Sequence, residues 1–262
     1  MTRVRLDQLL VERGLARSRA EAAALLLAGE VDLAGAGSRT LKAGQLVAPD
    51  TQLSVVQRPR WASRGGDKLE AALDAFAIDP TGMACLDAGA STGGFTDVLL
   101  ARGARIVYAV DVGRGQLVDR LRREPRVVSM ERANLRDLRT LPEEIDLATL
   151  DLSFISLRLV LPSVHGLLAA GGRAIALVKP QFEAGRDAVP RGGVVRDPAT
   201  HRAVLERFAR DAAAVGFGAQ RLIGSPISGA DGNREFLALL EADAPSGWDW
   251  QAQVERLLPS PV

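Results

Sequence analysis

Four charged residues stand where an α/β protein could do chemistry: Lys68, Asp151, Lys179 and Glu235. Lys68 opens a helical stretch ahead of the first apolar strand run, and Asp151 lies at the end of the fourth run. Lys179 ends the fifth run, and Glu235 begins the last one. Ammonium and carboxylate groups gathered in this way can orient a hydroxyl, hold phosphate and move a proton. A second constellation is Leu86-Asp87-Ala88-Gly89-Ala90-Ser91-Thr92-Gly93-Gly94-Phe95. A strand running into a Gly/Ser-rich turn and then a helix is where such sheets bind nucleotides. It fits a dinucleotide fingerprint badly, because Ser91 takes the place of the middle glycine, and no Gly-Lys-Ser/Thr follows to make a P-loop. Asp111 closes the second strand run, where a carboxylate can accept from both hydroxyls of a ribose. Glu131-Arg132-Ala133-Asn134 follows the third run, where an adenine edge would be read.

The elements needed to position these residues are legible from residue 67 onward. Residues 83–87, 105–111, 127–130, 145–152 and 173–179 are apolar, β-branched runs of strand length, and 219–223 and 235–240 predict late strands. Helical patterns lie at 68–76, 94–102, 115–123, 156–169 and 199–214. This alternation predicts an α/β fold: a Rossmann-like, mostly parallel sheet of seven strands covered by helices, the last strand antiparallel. In that arrangement the carboxyl ends of the strands share one edge, and an antiparallel last strand starts at the same edge. The four charged residues could then converge beside the glycine turn. The stretch 183–198 is long and rich in Gly and charge, so it is expected to fold over a substrate, with Arg186, Arg191 and Arg196 as candidate phosphate contacts.

Composition narrows the classes. Of 262 residues 47% are hydrophobic and 25% charged, which describes a packed globule. One cysteine, Cys85, excludes an internal disulfide framework, and two histidines make a metal site unexpected. No apolar run reaches about 18 residues, and the start is unlike a signal peptide, so no membrane association and a cytoplasmic location are expected. The charge is uneven. Residues 1–65 hold ten Lys and Arg against six acids, net +4, while the rest of the chain is net −3. A basic first quarter suits a polyanionic partner.

That quarter has its own pattern. Residues 5–14 read as an amphipathic helix with Leu6, Leu9 and Leu10 on one face and Gly14 as its stop. A second helix opens at Ser18, where Ser18 and Glu21 form a capping box, and Gly29 ends it. Short strands are predicted at 31–33, 45–47 and 52–56. RLDQLLVERGLARSRAEAAALLLAGEVDLAG resembles the small RNA-binding module first described in a ribosomal protein of the small subunit, the S-four-like fold. The resemblance implies RNA contacts from Arg3, Arg5, Arg17 and Arg19. The expected organisation is an RNA-binding domain over 1–58, a linker over 59–66, a large domain over 67–245 and a tail over 246–262.

Asp-x-Gly-x-Ser-x-Gly-Gly resembles the first motif of S-adenosylmethionine-dependent methyltransferases. The resemblance implies that Gly89, Ser91, Gly93 and Gly94 line the donor's methionine part, with Asp87 holding its ammonium and Asp111 and Asn134 holding its adenosine. The order Lys68, Asp151, Lys179, Glu235 matches the Lys-Asp-Lys-Glu tetrad of FtsJ-like ribose 2′-O-methyltransferases. With SRGGDKLEAAL, LDAGASTGGFTD, DLSFISL, LVKPQFE and GNREF, the chain resembles the TlyA family of ribosomal RNA cytidine-2′-O-methyltransferases. The resemblance implies S-adenosylmethionine as cofactor and ribosomal RNA within a ribosomal subunit as partner; no metal is expected, and a monomer is favoured over an oligomer. Lys179 would accept or polarise the hydroxyl proton, Lys68 would hold the ribose oxygens or a phosphate, and Asp151 and Glu235 would orient the lysines. Three other readings are a non-enzymatic RNA-binding assembly factor, a membrane-active haemolysin, and a base methyltransferase. The last commonly needs a Pro-containing acidic motif or a catalytic Cys, and here the fourth strand run ends in Asp-Leu-Ser-Phe.

Overall fold

The structure, a computed structural model, describes residues 3–28, 31–33, 41–55, 60–185, 189–190, 192–229, 232–247 and 249–258. The chain divides into two compact units, Met1–Pro59 and Arg60–Val262.

The first unit contains β1 (Val4–Arg5), α1 (Leu6–Glu12), α2 (Arg19–Ala28), β2 (Val31–Leu33), β3 (Leu46–Val47) and β4 (Leu53–Val55). Leu6, Leu9 and Leu10 lie one helical turn apart and are buried with Ala22, Leu26, Val31 and Val47. Gly14, at φ 70°, releases the chain from α1 in the left-handed conformation that glycine adopts without strain. The strands form two antiparallel pairs, β1 with β3 and β2 with β4. The capping box is half of what was expected. The Glu21 amide donates to Ser18 Oγ at 3.2 Å, but the Glu21 carboxylate accepts from the Arg17 amide at 2.7 Å rather than from that of Ser18. The expected stop at Gly29 and the expected end of the strand at Val56 lie outside the described residues.

The second unit contains α3 (Gly65–Phe76), β5 (Ala84–Ala88), α4 (Gly94–Ala101), β6 (Ile106–Asp111), α5 (Asp119–Arg122), β7 (Val127–Glu131), β8 (Ile145–Leu150), α6 (Leu161–His165), β9 (Leu168–Val178), α7 (Pro180–Glu183), α8 (Pro198–Ala213), β10 (Phe217–Gly224), β11 (Phe236–Ala242) and α9 (Trp250–Leu257). One seven-stranded sheet runs in the order β10–β11–β9–β8–β5–β6–β7. β11 is antiparallel to both its neighbours, and the other pairings are parallel. Alternate residues along each strand enter different cores. Leu86, Tyr108, Ala174 and Phe236 pack on one face, and Cys85, Val107, Ile175 and Leu237 pack on the other. This is the fold class the sequence predicted.

Four of the expected segments have other bounds. The expected helix over 156–169 is a 3₁₀ turn at Leu157–Leu159 followed by the five-residue α6, after which β9 already begins at Leu168. Pro162 sets the first turn of α6, and an apolar run such as 159–170 carries no period that separates helix from strand. Only Asp119–Arg122 of the expected helix over 115–123 is helical. Residues 60–66 belong to the second unit: Trp61 is 8% exposed, the Ala62 amide donates to Asp97 Oδ2 at 2.8 Å, and α3 starts at Gly65. The expected tail is likewise part of the core, since Trp250, Val254 and Leu258 bury against one sheet face.

Candidate active site

β5 delivers the glycine turn to the edge of the sheet. Gly89 (φ 84°) lets the chain pass against the Asp151 main chain, because a Cβ there would lie on the Asp151 carbonyl oxygen and 3.0 Å from its carbon. Gly93 (φ 99°) starts α4 in the left-handed region, and a Cβ on Gly94 would strike Ser63 Oγ. Backbone and carboxylate then fix the turn. Asp111 Oδ2 accepts from the Ser91 amide at 2.8 Å, and its Oδ1 accepts from the Gly113 amide at 2.7 Å. Asn134 Oδ1 caps the following 3₁₀ turn by accepting from the Arg136 amide at 3.1 Å, which leaves its NH₂ group available.

Asp87 is placed differently from expectation. Its side chain is fully buried and accepts from the Thr96 amide at 2.8 Å and the Thr96 hydroxyl at 2.6 Å, so it faces the first turn of α4 and not the cavity. Burial pushes its carboxyl up to about 7, against the hydrogen bonds from Thr96. Asp87 therefore anchors α4 behind the turn and lines neither of the cavities at the sheet edge.

The four charged residues do come together. Asp151 is the first residue after β8, Lys179 the first after β9, and Glu235 the last before β11. The pairing of Phe236 with Val178 and of Leu150 with Ala176 sets all three at one sheet edge. Lys68 reaches them from the first turn of α3. Two ion pairs result: Lys68 Nζ donates to Glu235 Oε2 at 2.5 Å, and Lys179 Nζ stands 2.6 Å from Asp151 Oδ1. Both lysine side chains are 10% exposed and Glu235 is 3% exposed, so each pair is largely desolvated and holds only because it is matched. A cavity of about 450 Å³ is lined by Lys68, Asp151 and Lys179 together with Ser63, Gly65, Gly89 and Gly94. A second, of about 420 Å³, shares Gly89, Ser91, Asp151 and Ser153 with the first and continues to Asp111, Asn134 and Phe154. The first can seat a hydroxyl-bearing acceptor against two ammonium groups, and the second is large enough for a nucleoside.

Residues 61–242 of this chain match the FtsJ-like methyltransferase family. The 16S/23S rRNA (cytidine-2′-O)-methyltransferase TlyA of Mycobacterium tuberculosis is 47% identical over 242 residues, 91% of this chain and 90% of the relative. A candidate rRNA methyltransferase of Bacillus subtilis, YqxC, is 46% identical over 97% of this chain and 89% of its own length. The solved structure of a candidate hemolysin from Streptococcus thermophilus shares 42% identity at a TM-score of 0.73, covering 98% of this chain and 96% of that one.

The chain belongs to the FtsJ-like methyltransferases.

The FtsJ-like match takes in the whole of the glycine turn and all four charged residues, and it begins two residues past the boundary of the first unit. Several residues of this methyltransferase site went unassigned in the sequence although they sit in motifs quoted from it. Ser153 Oγ lies 3.0 Å from Lys179 Nζ. Phe154 is 91% exposed at φ 63° and its ring lies 5.2 Å from that of Phe182, an arrangement that no periodicity announces. Asn233, 2% exposed, accepts from the Val195 amide and donates to the Gly193 carbonyl, both at 3.0 Å. It thereby pins part of the expected covering stretch beside Glu235. Of that stretch, Arg196 is exposed, and Arg186 and Arg191 lie outside the described residues. Among the described residues no cluster of His, Cys, Asp and Glu could hold a metal ion.

In the first unit three of the four candidate arginines are engaged with acids. Arg5 and Arg19 each hold Asp7 Oδ2 at 2.9 Å, and Arg17 holds Glu21 at 3.1 Å. The hydrogen bond from Arg5, joined by Arg19, keeps the Asp7 carboxyl well below the usual carboxylate range against the pull of burial. Arg3 is exposed.

Proposed function

We propose that this chain transfers a methyl group from S-adenosylmethionine to the ribose 2′-hydroxyl of cytidine in ribosomal RNA, on RNA within a ribosomal subunit and hence in the cytoplasm. The observation that carries this reading is that Lys68, Asp151 and Lys179 line one cavity with the glycine turn, while Glu235 backs Lys68. The donor fits the residues present. Gly89 and Gly94 leave a cradle that a Cβ would fill, and Asp111 is held by two amides with lone pairs to spare for a ribose diol. Glu131 adds a buried Oε1 without a partner in a recess shared with Asp111 and Ser91. Asn134 offers its NH₂ to an adenine edge. When bound, the sulfonium donor supplies the electrophilic methyl group.

The chain's own residues then have to align a weak nucleophile and take away its proton. Alignment alone contributes roughly 7–11 kcal/mol in favourable systems. Lys179 acts at the hydroxyl proton through Nζ, which Asp151 and Ser153 hold in place. Lys68, oriented by Glu235, holds ribose oxygens or the adjacent phosphate. The first unit is an RNA-binding module of the S-four-like kind, with Arg3, Arg5, Arg17 and Arg19 meeting phosphates. The cytidine and rRNA assignment follows the name of the Mycobacterium tuberculosis relative. Transfer to a base through a cysteine is disfavoured by Cys85, which is fully buried in β5 with its thiol pushed up to about 12 by that burial. Hemolysin A of Brachyspira hyodysenteriae is 41% identical, but among the described residues no helix is long and apolar enough to cross a membrane.

The test is methyl transfer from labelled S-adenosylmethionine to ribosomal subunits from cells lacking the enzyme, followed by nucleoside mapping. Label recovered as 2′-O-methylcytidine is expected. Donor binding without any transfer to RNA would favour the assembly factor, and label on a base would overturn the assigned acceptor.

A further inference from the structure

Lys179 and Glu183 stand at the two ends of α7, Lys179 as the residue before it and Glu183 as its last residue. Both reach the same loop. Lys179 meets Asp151 and Ser153, whereas Glu183 meets the far end of the loop: its Oε2 accepts from Ser156 Oγ at 2.7 Å and its Oε1 from the Leu157 amide at 2.8 Å. Without Glu183 the Leu157 amide would be one of the orphan donors at the start of the 3₁₀ turn, since the Ser156 side chain makes no cap there. Between the two attachments lies Phe154 at φ 63°. A bulky residue in that region is strained and persists only where its surroundings over-determine it. Glu183 is anchored in turn from α8, where Arg207 donates to its carbonyl oxygen at 3.0 Å.

Resting on the methyl-transfer reading above, we propose that Glu183 is a positioning residue of the site: it clamps the loop 151–157 in the conformation that sets Asp151 and Ser153 against Lys179. Its carboxyl is pushed up by burial, as for a group desolvated in order to hold two donors. It touches neither acceptor nor donor, and it acts through the geometry of the Lys179–Asp151 pair.

The full-length protein tests this with Glu183→Ala, Glu183→Gln, Ser156→Ala and the Ala double variant. Hydrogen exchange of the Leu157 amide reports the clamp, and it should speed up by about tenfold or more in Glu183→Ala. On ribosomal subunits kcat should fall about 10²-fold, the cost of misplacing reacting groups by an ångström. The dissociation constant for S-adenosylmethionine and the KM for RNA should stay within about twofold. Glu183→Gln, whose amide oxygen still accepts from Leu157, should recover most of kcat. The double variant should fall no further than Glu183→Ala. Wild-type kcat in Glu183→Ala overturns the proposal. So does a Glu183→Gln variant that loses kcat, donor affinity and melting temperature in step, because that is damage to the fold. A wild-type protein that methylates no rRNA cytidine sinks the functional reading instead, and a Leu157 amide protected only while Glu183 is present would leave the clamp standing.

Discussion

Lys68 and Lys179 are equally hidden from water but held in different ways. Lys68 has one short bond, to Glu235, whereas Lys179 lies between Asp151 and Ser153 with the Phe182 ring 5.9 Å from Nζ. Asp151 and Ser153 take two of the three positions around Nζ, which leaves Lys179 one position to meet the acceptor hydroxyl. Lys179→Ala should therefore reduce methyl transfer by about 10²–10⁴-fold while calorimetry shows unchanged donor binding. Lys179→Arg should not restore turnover, because a planar guanidinium cannot occupy the same point. Gly89→Ala should fail one step earlier: its Cβ would strike the Asp151 carbonyl oxygen at φ 84°, so binding of S-adenosylmethionine itself should be lost, as read by calorimetry. The tetrad was legible because three of its members end or begin strand runs and because the order of all four resembles the FtsJ-like pattern. The role of Asp87 was not, because the motif fixes the residue but not the direction of its carboxylate. That direction is decided by the Thr96 hydroxyl and amide, nine positions away.

Strand and helix placements followed from hydrophobic period wherever a run was bounded by a turn residue, as β5 is by Gly89 and β6 by Gly113. They were lost where one apolar run had to serve two elements, as between α6 and β9. The stretch before α8 shows a further kind of information that sequence hides. Val195 is buried because Asn233 takes its amide and His201, on α8, takes its carbonyl at 3.0 Å, and these partners come from 38 residues ahead and six ahead. His201 is 3% exposed against the Phe236 ring, and burial lowers its pKa below 6.5. The folded state thus keeps His201 neutral after the unfolded chain has begun to take up its proton. This contribution is complete above about pH 6.5 and is lost as pH falls below it. Melting temperature should drop on acidification through that window, and His201→Gln, which can still donate to the Val195 carbonyl, should show a shallower drop. An identical slope in the variant would assign the acid sensitivity to other groups.

At the scale of the whole molecule, reaction chemistry and RNA affinity are assigned to different compact units, and this makes their separation measurable. The excess positive charge is in the first 65 residues, yet Arg5, Arg17 and Arg19 there are already paired. The pairs are not alike. Asp7 is 5% exposed and holds Arg5 and Arg19 with 45% and 57% of their side chains still open to solvent, so the buried acid fixes two guanidinium groups at the surface. Arg17, 92% exposed, faces Glu21 in a solvent-screened pair that a phosphate can readily replace. Arg17→Ala should consequently weaken binding to ribosomal RNA and lower the salt slope of log K by about 0.7–0.9, one phosphate contact, while melting temperature and donor affinity hold. Arg19→Ala should weaken RNA binding similarly and also destabilise the unit by about 1–3 kcal/mol, because the buried Asp7 loses a partner. In both variants KM for RNA should rise while kcat at saturating RNA stays at the wild-type value, since neither arginine belongs to the unit that holds the tetrad. A fall in kcat with an unchanged salt slope would place these arginines outside the RNA contact and remove the basis for reading the first unit as the RNA-binding part.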